Sequence, residues 1–344
     1  MRKGRLDSET AAGGLLLIAA LILPLFISTY KAFTYSSFMF NIVLCMSITL
    51  IWGYCGTFSF GQAAFYGLGA YTYGAIAGNM ESAAMTPVAL IAAVVLVGLF
   101  ATVIGYFMFF GGVNDVFVGI ITLCLTFALN TFFGQTAGEQ WKVGSVALGG
   151  YNGMSNIPTL QFGSYKLGSI SMYYVGVFMV FAMIAALLLL KRSKVGYTIF
   201  AVRENRDRSS MFGYNVPLIQ MLVFGVGGAI AALGGVMYAS WGNYITPASM
   251  SVTQATIPVV LVASGGRTSP VAGCAFAFIY YLISNKLAAT GSEYALVILG
   301  LLLINVILFI PKGLFKSLFD LADRKLIPVF ARIGKKGEMI AHER

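Results

Sequence analysis

Ten apolar runs divide this chain, at about 11–29, 37–53, 58–78, 87–110, 116–133, 172–190, 217–240, 254–265, 269–285 and 294–310. Most match the roughly 20 residues that a helix needs to cross the hydrocarbon core of a bilayer. The pattern predicts an all-α polytopic membrane protein with about ten transmembrane segments. One run, 254–265, is short and carries Pro258, so it is read as a crossing with a re-entrant segment as the alternative. The runs predict a transmembrane domain over 1–311, followed by a tail over 312–344.

Punctuation agrees with these limits. Thr86-Pro87 and Ser269-Pro270 each place a cap-like residue before a proline at a helix start, and Pro311 follows the last apolar run. Pro24 lies inside the first run and is expected to kink it. Two connections are long. One, about 134–171, is rich in glycine and polar residues; the other, about 191–216, is basic.

Composition strengthens the membrane reading. Of 344 residues 58% are hydrophobic and only 10% charged, against about a quarter charged in soluble domains. Arg2, Lys3 and Arg5 before the first run resemble a signal peptide, but the run is long enough to span and is expected to be a retained helix. The net charge of +10 does not point to nucleic acid, because its carriers sit beside apolar runs. Seventeen of the 22 basic residues fall in three clusters: the N-terminus, 191–208 and the tail from Lys312. Placing all three in the cytoplasm requires an even number of crossings between clusters, which ten segments satisfy. Arg267 then falls on the same side, and 134–171 on the other. In the tail, Phe315, Leu318, Phe319 and Ala322 have the spacing of an interfacial amphipathic helix.

Several chemistries lack their parts. His342 is the single histidine, and Cys45, Cys55, Cys124 and Cys274 lack metal-ligand spacing and lie in or beside apolar runs. No enzyme activity, metal site or disulfide framework is expected. None of the twelve acidic residues lies deep in a run, which argues against proton coupling. No P-loop is present; Gly265-Gly266-Arg267-Thr268 is a superficial near-miss.

Three places carry candidate function. Ser59 to Tyr71 combines small residues with Gln62 and Tyr66, read either as a broken, pathway-lining helix or as close packing through Ala63/Gly67 and Ala70/Gly74. Gly227, Ala231 and Gly235 form a similar small-residue face. Thr122, Thr126 and Asn130 share one helical face, where they line a polar path or bond back to their own helix. The basic connection joins an apolar half (Tyr197, Ile199, Phe200, Val202) to a charged one (Arg203, Glu204, Arg206, Arg208), which suits docking of a cytoplasmic partner.

At these residues the chain resembles the permeases of branched-chain amino acid ABC transporters. The resemblance rests on Ile51-Trp52-Gly53-Tyr54-Cys55-Gly56 leading into Ser59-Phe60-Gly61-Gln62, on Gly149-Gly150-Tyr151-Asn152-Gly153 with Ile157-Pro158, on Gly196 through Arg203-Glu204-Asn205 to Gly213, and on Phe309-Ile310-Pro311-Lys312-Gly313. It implies a bacterial inner-membrane importer subunit, working with a second permease, two ATP-binding subunits and a periplasmic substrate-binding protein. ATP would be bound by those partners, with no cofactor in this chain. The coupling segment would be 191–216. One departure is Arg267 after Gly265-Gly266, a form similar to permeases of urea systems, so a urea or amide substrate is the alternative. A secondary transporter or channel is the further one.

Overall fold

The computed structural model describes residues 8–80, 82–290, 294–310 and 313–323. The rest of the basic tail, with His342, lies outside the described residues. Among the described residues ten longer helices form a bundle: α1 (Ser8–Ile22), α2 (Thr29–Ile48), α3 (Gln62–Gly78), α4 (Thr86–Phe110), α5 (Asp115–Gln135), α6 (Ser169–Arg192), and, after two short helices, α9 (Val216–Gly242), α10 (Val252–Gly265), α11 (Pro270–Ala289) and α12 (Ala295–Phe309). The short pair, α7 (Lys194–Glu204) and α8 (Arg206–Met211), lies across one end.

Seven helical segments among the described residues are long and apolar enough to cross a membrane. The 17, 14 and 15 residues of α3, α10 and α12 give about 26, 21 and 22 Å, short of a hydrocarbon core of about 30 Å. Pro258 lies within α10, yet the helix does not turn back. Gly266 at its end lies against Gly313 at one end of the bundle, while Gln254 near its start bonds to Asn41 in the middle of α2. α10 thus runs from the level of the middle of α2 to one end of the bundle.

Local chemistry sets the boundaries. Ser28 caps α2, accepting from the Lys31 amide, so the second helix starts well before the apolar run and continues through a widened π turn, Thr49–Tyr54. Pro24 ends α1 rather than bending it; a short 3₁₀ turn follows over Leu23–Leu25. Ser269 caps α11 as expected, through the Ala272 amide at 3.2 Å. Thr86 does not cap α4. Its hydroxyl pins the strand at Gln161 instead, accepting at 2.8 Å from that residue's N–H.

The core joins α3 and α9. A Cβ on Gly235 would sit 1.9 Å from the Tyr66 carbonyl oxygen, so only glycine lets these two backbones meet. This bears out packing for the 227–235 face. Gly67 and Gly74 turn elsewhere, against Met250 and Met154.

The connection 136–168 forms three small antiparallel ribbons. Two are local hairpins; the third pairs Met154–Ser155 with Tyr244–Ile245 beyond α9. Gly153, at φ 79°, passes so close to Ile245 that a Cβ would lie 2.1 Å from its carbonyl oxygen. That explains the last glycine of the 149–153 stretch.

Candidate functional site: a basic end and a polar cavity

Among the described residues, the start of α1, the beginning of the 191–208 segment and residues up to 323 meet at one end. Ser8 donates its amide to Asp323, Lys191 reaches Glu9 at 3.1 Å, and Ser269 bonds Glu9 at 2.6 Å. The Arg267 guanidinium lies over the Trp52 ring, 5.6 Å from its centre.

The short helices are latched onto this end. Ser193 caps α7 through the Gly196 amide, and Asn205 caps α8 through Arg208. Arg203 donates from Nη1 to the Gly53 carbonyl at 2.7 Å, inside the widened turn. Arg206 pairs with Asp115 at 2.6 Å. With its amide oxygen turned toward Arg206, Gln220 accepts from that guanidinium at 3.0 Å and from Thr57 at 3.1 Å. Arg203 also holds the Glu204 carboxyl below the usual carboxylate range, mainly by hydrogen bonding.

The expected docking residues divide between the two faces of this pair. Phe200 is partly buried within the chain, its ring 4.9 Å from Tyr54 with Arg203 stacked on it, so it is not a free anchor. Arg203 and Arg206 turn inward, not to a solvent rim. Helical phase decides this: Ile199 and Val202 define the buried face of α7, and Phe200 and Arg203 flank it. Tyr197, Glu204 and Arg208 remain outward-facing. The exposed apolar side chains are Val195, Tyr197, Met211 and Phe212, the last two 85% and 77% exposed.

The polar residues of α5 serve as clamps. Thr122 Oγ1 accepts from the Phe60 N–H at 3.2 Å, and Thr126 donates to the Phe60 carbonyl at 3.2 Å; both also bond back within α5. Asn130 donates to the Pro247 carbonyl at 2.7 Å. These bonds fix the irregular segments before α3 and before α10.

A cavity of about 590 Å³ opens toward the other end. Tyr244 and Trp241 stand at its outer part, Trp241 stacked on Phe33 and donating to its carbonyl. Its inner part is formed by Asn41, Tyr66, Gln254 and Tyr281, from α2, α3, α10 and α11. Of the residues expected to line a pathway, Tyr66 is in its wall; Gln62, Thr122, Thr126 and Asn130 are not. Gln62 is buried beneath, accepting from Ser47 at 3.3 Å, while its Nε2 has no hydrogen-bond partner among the described residues. Sequence reasoning missed Asn41, Gln254, Tyr238, Trp241 and Tyr281. The usable signal was an uncharged amide inside an apolar run, at Asn41 and Gln254.

Such a bundle, with seven long apolar helices among the described residues and a cavity of mixed polar and apolar lining, defines a multi-pass membrane protein. The sequence family described as branched-chain amino acid transport system, permease component, matches residues 32–307, and the chain belongs to it. The chain is similar to the high-affinity branched-chain amino acid transport system permease protein LivM of Escherichia coli (strain K12), 24% identical over 90% of this chain and 76% of the relative. The Salmonella typhimurium LivM is 23% identical with the same coverage. A probable branched-chain amino acid transport permease protein LivM of Methanocaldococcus jannaschii is 25% identical over 48% of this chain and 52% of the relative. No solved structure matches the chain.

Proposed function

We propose that this chain is the permease subunit of an ABC importer that moves branched-chain amino acids or related small polar solutes across the bacterial inner membrane. The observation that carries the ATP-driven part is α7–α8: a helical pair latched to the membrane helices by Arg203 and Arg206, presenting Met211 and Phe212 outward. A groove on an ATP-binding subunit is the partner these side chains fit. The basic end is then cytoplasmic, following the bias of Lys and Arg. All ten alternating helices count as crossings, α3, α10 and α12 being shorter ones met by irregular segments inside the protein. ATP is bound by partner subunits, and a second permease and a periplasmic binding protein complete the assembly. Arg267, the departure resembling urea permeases, stacks on Trp52 at the basic end, and α10 separates it from the cavity. It therefore adds no weight to a urea substrate.

The test is purification of the tagged chain in mild detergent, with identification of what accompanies it. A P-loop ATPase and a second permease are expected. Recovery of the chain alone, in preparations that still transport solute, would defeat the proposal.

A further inference from the structure

We infer that Gln254 selects what the cavity accepts: its side-chain oxygen, set in place by Asn41, receives an N–H of a solute that carries no net charge. The inference rests on the proposed function and adds the selecting atom and the group it reads.

A chain of hydrogen bonds decides which half of the Gln254 amide is left for a ligand. The Ser37 carbonyl can only accept, and Asn41 Nδ2 donates to it at 2.9 Å. That fixes the Asn41 amide and leaves its Oδ1 for Gln254, whose Nε2 donates to it at 3.0 Å. Both residues line the cavity, and among the described residues Gln254 Oε1 accepts from no group in the chain. The unpaired atoms of Gln62 and Tyr66 are sealed inside the protein; Gln254 Oε1 is not one of those sealed atoms. A backbone carbonyl on α2 thus determines, through two side chains, that the cavity meets an oxygen and not an NH₂ at this point.

The rest of the wall agrees with a solute that donates. Several of its own donors are already engaged: Trp241 donates to the Phe33 carbonyl, Tyr244 to Asn152 and Ser249 to Thr246. The Asn243 amide donates to Ile157 and Thr159. Among the described residues the lining contains no Asp, Glu, Lys or Arg. An ion of either sign would enter without a counter-charge at great cost, so the solute is neutral or zwitterionic. Its ammonium or amide N–H is the group that an uncharged carbonyl oxygen can hold, and the rings of Tyr238 and Tyr281 in the same wall suit a positive head.

The test is equilibrium binding of radiolabelled L-leucine to the purified full-length chain in lipid nanodiscs. The competitors are L-leucine, N,N-dimethyl-L-leucine and N,N,N-trimethyl-L-leucine. All three are zwitterions, and only the last has no N–H. The loss of competition between the dimethyl and trimethyl compounds should be about tenfold, the value of one hydrogen bond to a charged group. Gln254→Met keeps the length of the side chain without its oxygen, and it should erase that step. Asn41→Leu lets the Gln254 amide turn over and should shrink the step without erasing it. Thermal stability of both variants is measured alongside, since a role in packing alone would lower stability and leave the step intact. Equal competition by the dimethyl and trimethyl compounds, an unchanged step in Gln254→Met, or no saturable binding each overturns the inference. Leucine uptake by the complete transporter separates the two ideas. Uptake without binding by this chain sinks the site alone; Gln254-dependent binding without ATP-driven uptake sinks the proposed function instead.

Discussion

At the basic end, guanidinium and ammonium groups make the long-range bonds: Arg203 to Gly53, Arg206 to Asp115, Lys191 to Glu9. At the opposite end, neutral groups do the same work: Asn243 donates to the Ile157 carbonyl and to Thr159, Tyr73 donates to Pro158, and Ser240 accepts from the Leu160 amide. Half-exposed ion pairs are weak and screened by salt, and they reform easily. Bonds to buried backbone groups are costly to break, because they leave an unpaired donor or acceptor behind. Apart from the Arg203 bond to the Gly53 carbonyl, the basic end is thus built to shift and the opposite end to stay. On the proposed function this asymmetry has a use: motion of partner ATPases enters where the bonds are cheap, and the outer rim of the cavity keeps its shape.

The largest expected effect comes from destroying the element shared by both ends. Gly235→Leu would force α9 off the Tyr66 backbone, and overpacking of this kind costs about 3 kcal/mol or more. Size-exclusion chromatography of the solubilised variant should show aggregate in place of a folded peak.

Replacing Met211 and Phe212 by serine addresses the movable end without touching its latches. Loss of two exposed anchors should weaken ATPase association by about 2 kcal/mol or more, measured by pull-down, with the melting temperature unchanged. Phe200→Ala sharpens the contrast, since it should instead lower the melting temperature by removing packing on Tyr54.

At the fixed end, Asn243 sits at φ 53° and makes two side-chain bonds. Asn243→Ala should cost about 1–2 kcal/mol from the left-handed backbone alone, read by thermal denaturation. Asn243→Gly should recover that part and not the hydrogen bonds.

The smallest effect is expected from Asp115→Asn. Its pair with Arg206 is partly exposed, so the loss should stay below about 1 kcal/mol and shrink further in high salt. A loss much larger than this, and insensitive to salt, would remove the distinction between the two ends.

The helices and the gathering of charge were legible in the sequence for simple reasons. An apolar run of spanning length has few alternatives to a helix in lipid, and the crossing count that expects the three basic clusters on one side also expects Arg267 there, where it stacks on Trp52 near the 191–208 segment. The irregular parts were less legible. The widened turn at Thr49–Tyr54 follows from tertiary contacts with Arg203 and Arg267, not from local propensity. The packing of Phe200 on Tyr54 was not legible, because an apolar side chain in a basic connection looks exposed until the phase of α7 is known. The cavity was nearly invisible, since its polar groups come from separate helices, each with one or two uncharged residues in an apolar run. Tyr66 was found because it neighbours Gln62; Gln254 and Asn41 carried only the weaker signal of an uncharged amide in an apolar run, and the fold brings them together.

The most direct test of the account is leucine accumulation by proteoliposomes holding the complete assembly, with binding protein outside and ATP inside. The account predicts accumulation that requires ATP, persists when ionophores collapse ion gradients, and fails when Met211 and Phe212 are replaced by serine. Accumulation without ATP, driven by an ion gradient through this chain alone, would contradict it.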